Sequence, residues 1–515
     1  MRNSQVGPAS LENQEQFRPS KKSNRRWALI LTVFTVSVAI AIIVILAVVL
    51  VDTTNETPMP KIQAEYQKQA EIIIKYSTEG DGKGKAFEWV ANISDAFGHR
   101  KIGSDALERA IDHNVDQFKN EYGLSNVHTE NATLPLWIRG DEVVYLMHPR
   151  VKKLAILGLG STIGTDGKNL TGEAIVVTSW DDLAKNCEKA RDKIVVFNPP
   201  WEGSYGKASG YRGRGASAAS GCGAKAALIR TAASFSIDSP HTGQQYYNDS
   251  VPRIPAISLS TEDADLLERI QMRGEKIIIS MNITSRNDDS HSIISRNTIF
   301  DLTGATLPKE IVMISGHFDS WDVGSGAMDN GAGASIALRA IVNLKRLIDQ
   351  GQLRAPKRTI RGIHWTAEEP GLLGSAQYYA SYVNDTKGEK YVFLHEADEG
   401  FFRPMTLSFS GTAAARIMFR DQIFPLLRSM NLTLTTGCLG DTDWWANDGV
   451  PGMMLASTGI GYERYFAFHH SEGDTPSVYG RYDLDVPAAI WGVTAYVIAD
   501  MDETLPAGPR EENCH

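Results

Sequence analysis

Five residues of metal-binding type stand along the second half of the chain: His317, Asp329, Glu369, Asp398 and His470. Imidazole nitrogen and carboxylate oxygen together make the donor set of Zn2+ or a similar borderline metal. The first two lie in residues 311–333, IVMISGHFDSWDVGSGAMDNGAG. The apolar, β-branched start of that stretch reads as a buried strand. His317, Asp319, Asp322 and Asp329 follow, strung between glycines, and the small residues 331–340 read as a helix. The carboxyl end of a strand before a helix start is where open α/β sheets place ligands. This stretch is half of a metal site.

The pattern recurs three times. RTIRGIHWTA ends in Glu368-Glu369-Pro370, KYVFLHEAD delivers Asp398, and after PGMMLAS the loop FHHSEGDT carries His469 and His470. Each strand sets one or two ionisable groups at its carboxyl end, so the groups can converge on one cleft. Packing alone rarely ends buried strands this way. Two divalent ions about 3.5–4 Å apart can share a bridging carboxylate and a bridging water, which they acidify. They also polarise a scissile carbonyl and stabilise the oxyanion that forms. A free carboxylate beside them takes the water's proton and returns it to the leaving amine. Adjacent Glu368 and Glu369 can divide these tasks, one as base and one as ligand. Asp319 would orient His317 from behind.

Each residue also has a bland reading. His317 alone would be a hydrogen-bonded core histidine, Asp319 a turn cap, and Glu368-Glu369 a solvated strand end. His364 and His395 lie within strands and are read as structural. Other chemistries lack support. HEADE has no second histidine for H-E-x-x-H, there is no G-x-S-x-G, and GLGSTIG brings its last glycine one position late for a dinucleotide fingerprint. No nucleotide cofactor is expected.

Strands at 310–316, 359–366, 390–396, 405–410 and 451–456 alternate with helices at 330–350, 371–383, 413–430 and 484–501. This predicts an α/β fold with a mostly parallel central sheet covered by helices. The last of these helices is read as core packing. Residues 61–141 read as mostly helical, at 64–76, 86–97 and 104–122. Between about 140 and 295 short apolar strands alternate with glycine- and serine-rich loops such as GYRGRGASAASGCGAK, the texture of a separate α/β unit. The predicted domains are therefore 61–140 with 296–510, and an insert at 141–295.

At 515 residues and net charge -9 the chain has ample length for a large core, and its acidity argues against general nucleic-acid binding. Residues 1–26 form a basic tail, and residues 27–51 run without a charge. At about 1.5 Å per residue this exceeds the roughly 30 Å hydrocarbon core. With the basic cluster cytoplasmic, the expectation is a type II signal-anchor and a stalk at 52–60, with the rest lumenal or extracellular. Glycosylation sequons start at Asn55, Asn92, Asn131, Asn169, Asn248, Asn282, Asn384 and Asn431, all beyond the anchor. Four cysteines are too few for a disulfide framework. A Cys187–Cys222 bridge and two separate buried thiols are both open readings.

GHFDSWDVGSGAMDNGAG, WTAEEPGLLGSAQYY, EADEG and FHHSEGDT resemble the di-zinc exopeptidases that include bacterial aminopeptidases and glutamate carboxypeptidases. The resemblance runs from roughly residue 61 to 506. It implies two Zn2+ per chain, with His317 and Asp398 on one and Glu369 and His470 on the other. Asp329 would bridge them, and Glu368 would be the general base. His470 is preferred over His469 because the family's ligand directly precedes the small residue of H-[ST]-x-x-D-T; His469 would then steady the oxyanion. The resemblance further implies small peptide substrates such as dipeptides, a protease-associated insert and a homodimer. The motifs match a secreted branch best, whereas the anchor is like that of the membrane glutamate carboxypeptidases. Those have two fewer residues between the first histidine and the bridging aspartate. A non-catalytic receptor of the same fold predicts eroded ligands, and a single-zinc glutaminyl cyclase predicts one metal.

Overall fold

A computed structural model describes residues 60–384, 388–512 and 514 of the protein. The predicted tail, the 27–51 anchor, nearly all of the stalk and Asn55 lie outside the described residues. Among the described residues no helix is long and apolar enough to cross a membrane.

The β-branched runs that alternate with amphipathic stretches build an eight-stranded sheet. Its centre is four parallel neighbours in the order Arg358–Trp365, Leu307–His317, Lys390–Glu399 and Gly452–Ser457. Arg358–Trp365 is buried at every residue, as a strand covered on both faces must be. One face carries the helices Ala332–Asp349 and Asp485–Asp500, with Lys61–Thr78 and Lys85–Phe97 beside them. Asp485–Asp500 is buried along almost its whole length and serves as core. The other face packs Leu373–Val383 and a short helix, Asp443–Asn447, around Trp365 and Trp445.

Each flank of this sheet joins the centre through an antiparallel strand, and of the flanking strands only Met405–Ser410 was anticipated. Ser125–Ile138 pairs with Arg286–Leu302, which pairs antiparallel with Arg358–Trp365. Met405–Ser410 runs against Gly452–Ser457, and Leu432–Thr436 closes that side. The first pair has partly exposed, polar faces, so neither strand shows the apolar run that marks a central strand.

Residues 142–283 form a second eight-stranded sheet, whose core is the parallel series Leu170–Val177, Ile194–Phe197, Ala226–Arg230 and Ala256–Leu259. Arg286–Leu302 already belongs to the first sheet, so the change of sheet falls near 285, ahead of the expected 295. The glycine-rich run expected as a loop is in fact largely the helix Tyr205–Gly221. Ser204 caps it by accepting from Lys207 N–H. Its small residues suit tight packing: a Cβ on Gly215 would come within 3.3 Å of Phe197 and Ile229. Close burial outweighs the low helix propensity of glycine. A second unanticipated helix, Thr261–Met272, covers the same sheet.

All four cysteines are paired. Cys187–Cys222 joins a short helix to the end of Tyr205–Gly221. Cys438–Cys514 ties the C-terminus to the loop before Asp441, a bridge across 76 residues that the sequence reading did not name.

His364 and His395 are structural, as expected. His364 Nε2–H donates to Ala334 O at 2.8 Å among Phe118, Phe300 and Phe318, and burial pushes its pKa down to about 3. The unfolded chain binds this proton below about pH 6.5 and the folded chain only near 3, so folding loses stability as pH falls through that window. In His364→Gln, the urea-measured stability lost between pH 7 and pH 5 should shrink by about 2 kcal/mol relative to the parent. An unchanged loss would mean that the imidazole is not held neutral.

Candidate metal centre

The four parallel strands end at one place. Leu307–His317 finishes on His317, and Arg358–Trp365 leads to Glu368 and Glu369. Asp398 is the penultimate residue of Lys390–Glu399, and Gly452–Ser457 leads through the helix Ile460–Phe468 to His469 and His470. Asp329 comes from the loop before Ala332–Asp349. Glycines allow this helix start to press on the sheet: a Cβ at Gly333 would lie 2.1 Å from Ala397 O. The backbone is left-handed at Ala367, just before the glutamate pair, and at His470 (φ 57° and 60°). Non-glycine residues take that conformation where the surroundings impose it.

Every expected ligand reaches the same small volume. His317 Nε2 lies 3.1 Å from Asp329 Oδ1 and 3.1 Å from Asp398 Oδ1. Asp329 Oδ2 faces His470 Nε2 at 3.1 Å and His469 Nε2 at 3.2 Å. His470 Nε2 is 2.9 Å from Glu369 Oε2, and Glu368 Oε2 stands 3.8 Å from His317 Nε2. Asp322 does not join them; it takes Arg139 on both oxygens, at 2.6 and 2.8 Å. Asp319 touches both His317 and the glutamate pair. Its carboxylate accepts from Glu368 N–H (3.0 Å) and Glu369 N–H (3.3 Å), whereas its main-chain oxygen accepts from His317 Nδ1–H at 3.0 Å.

These residues fit a metal. Asp329 Oδ2 and Glu369 Oε1 are buried and accept no hydrogen bond. Among the described residues no lysine or arginine pairs with Asp329, Glu368, Glu369 or Asp398, and buried carboxylates need compensating positive charge. Three donor triads have all their ligand atoms within 4.8 Å of one another: Asp329–His469–His470, His317–Asp329–Glu369 and His317–Glu368–Asp398. Burial raises Glu368 well above the usual carboxylate range against the pull of His317, with Asp398 and Glu369 adding to the rise. Asp329 is held well below its usual range despite burial, because His469, His317 and His470 surround it.

Comparison with known proteins agrees with this geometry. A model of peptidase family M28 matches residues 297–481. Carboxypeptidase Q of Bos taurus is 42% identical over 446 residues, 86% of this chain and 91% of that protein. The chain belongs to peptidase family M28. A crystal structure of an M28 peptidase precursor from Shewanella amazonensis superposes with a TM-score of 0.79 at 27% identity, over 87% of this chain and 100% of the other. A zinc aminopeptidase of Bacillus subtilis shares the fold at 18% identity, with a TM-score of 0.60 over 82% of this chain and 97% of that one. As an M28 peptidase, the protein is a metallo-exopeptidase.

Within this M28 centre several residues escaped the sequence reading. Arg100 is fully buried and donates to Phe318 O (2.6 Å), Ser325 O (2.8 Å) and Gly326 O (2.6 Å), bracing the loop that carries Asp329. Asp474 accepts from Met328 N–H (2.6 Å) and Asp329 N–H (3.1 Å). Asp474 stands in FHHSEGDT and was legible as part of that motif; Arg100 lies in no motif. Behind Glu368, the buried Glu396 accepts from Ser315 Oγ at 2.8 Å, and Asp441 is raised to about 7 by burial. The M28 cleft in front has a volume of about 500 Å3, and its walls include Tyr205, Arg212, Glu399 and Tyr465.

Arg100→Met should strand three buried carbonyls and cost about 3–5 kcal/mol by urea denaturation. A loss below about 1 kcal/mol would mean that water replaces the guanidinium without difficulty.

Proposed function

We propose that this zinc-dependent exopeptidase hydrolyses dipeptides and short peptides at a two-zinc centre. The observation that carries the two-metal reading is the placement of Asp329: its oxygens face opposite donor groups, Oδ1 toward His317 and Oδ2 toward His470. His317 and Asp398 would hold one ion, Glu369 and His470 the other, and Asp329 would bridge. His470 is favoured over His469 because its second nitrogen is engaged with Thr242 O, as the ring of a metal-bound histidine generally is. Bound zinc would supply a water acidified toward neutral pH and would polarise the scissile carbonyl.

The chain's own groups do the rest. Glu368 is oriented by the Asp319 carboxylate through its main-chain N–H, and its raised basicity suits it to take a proton from water and pass it to the leaving amine. His469, edge-on to Tyr205 at 4.9 Å between ring centres, would donate to the developing oxyanion. Two charges on the cleft wall suit the ends of a short peptide. Arg212 has a buried Nε–H without a partner and would receive the free carboxylate. Glu399 pairs with no cation among the described residues and would receive the free ammonium.

The unit at 142–283 is read as a protease-associated insert, on the motif resemblance and its separate sheet. The apolar run at 27–51 supports a type II anchor. Six of the seven described sequon asparagines, all but half-buried Asn282, are exposed and support glycosylation outside the cytosol. The homodimer rests on the family resemblance.

Glu368→Gln should retain the wild-type zinc content and lose about 10²–10⁴-fold in kcat on an unblocked dipeptide panel. Substantial residual turnover would move the base elsewhere. Arg212→Ala should raise KM for free-carboxylate dipeptides while leaving C-terminal amides nearly unaffected. Equal effects on both would remove Arg212 from terminal recognition.

A further inference from the structure

The unit built on the second sheet meets the metal centre at residues 241–243. Thr242 N–H donates to His470 O at 2.9 Å, and Thr242 O accepts from His470 Nδ1–H at 3.2 Å. The two bonds hold both the left-handed main chain and the ring of His470. A histidine whose Nδ1 donates to a carbonyl has Nε2 free of its proton, and that Nε2 faces Asp329 and Glu369.

Thr242 is itself fixed. It is fully buried; its Oγ1–H donates to Gly158 O at 2.7 Å, and Oγ1 accepts from Arg139 Nη2 at 3.3 Å. Arg139 stands where the chain leaves the first sheet, after Ile138, and before the second begins at Glu142. It also donates to Gly158 O at 2.6 Å and clasps Asp322. A link of charged and polar groups thus runs from the crossing between the sheets to one histidine. The other side of the centre has no such dependence: His317 Nδ1 is satisfied by Asp319 O, in its own loop.

We propose that the 142–283 unit is a working part of the metal centre, with Thr242 as a positioning residue that sets the ring and tautomer of His470. Affinity for the ion at Glu369 and His470 then depends on the Arg139–Thr242 link, and affinity for the ion at His317 and Asp398 does not. This rests on the reading of His470 as a ligand.

The test uses the full chain stripped of metal and titrated with Zn2+ against a chromophoric chelator. Melting is followed with and without zinc. Thr242→Val should weaken one of two ions by about 10–100-fold and leave the other at its wild-type affinity. Its melting temperature should fall more with zinc than without, and Thr242→Ser should restore both readouts. Arg139→Gln, which breaks the link from its other end, should weaken the same single ion. Wild-type affinity for both ions in Thr242→Val and Arg139→Gln would overturn the inference. So would equal weakening of both ions, or equal melting losses with and without zinc, since a merely structural residue does that. His470→Gln separates the layers. If it loses the ion that Thr242→Val leaves untouched, only the positioning role fails; if it binds both ions normally, the ligand reading falls and the inference with it.

Discussion

Asp329 is a buried carboxylate whose two oxygens face different imidazoles, and the carboxyl end of the large sheet is arranged to make that tolerable. A lone buried carboxylate is strongly disfavoured, and among the described residues no lysine or arginine forms an ion pair with this one. Histidines stand around it, and Asp398, Glu368 and Glu369 crowd in as well. Such a cluster is stable as a cation site and poorly explained as packing. Its negative charge suits a divalent ion, and burial raises the carboxyls of Glu368, Glu369 and Asp398 together.

Precision at Asp329 comes from its supports. Asp474 takes two consecutive main-chain N–H groups around it, and Arg100 takes three carbonyls of the loop behind. Asp319 aligns the glutamate pair through main-chain N–H groups, so Glu368 and Glu369 are set by their backbone before their side chains meet anything. These supports are charged groups acting on peptide groups, stronger and more directional than neutral contacts. They also make the centre sensitive to residues that touch no substrate.

The two sheets are physically joined at the site. Thr242 meets His470, Tyr205 packs face to face on Phe466 at 4.2 Å, and Trp201 Nε1–H reaches Glu463. The cleft therefore lies between a rigid parallel sheet, which carries the donors, and a second unit, which contributes Arg212 and the partner of one histidine. The cleft wall and the main-chain partner of His470 share that boundary.

Much of the centre was legible from the chain alone. Strands written as β-branched runs and closed by His, Glu-Glu, Asp or His-His announce their donors, because neighbouring parallel strands bring their carboxyl ends together whatever the detail of packing. Two adjacent carboxylates suggested a division between base and ligand, which the family resemblance assigned to Glu368 and Glu369, and the helices expected at 64–76 and 330–350 are found at Lys61–Thr78 and Ala332–Asp349. The sequence by itself thus determined the donor types, the strands that carry them and the family. Tertiary structure decided what no local pattern encodes. A glycine-rich run became the helix 205–221 because two strands offered a surface that only small residues fit. Asp322 found Arg139, and Cys438 found Cys514. The second nitrogens of His317 and His470 found main-chain carbonyls, one two residues away and one 228 residues away. Every residue has a carbonyl, so such partners leave no mark in the sequence; only the folded path of the chain selects among them.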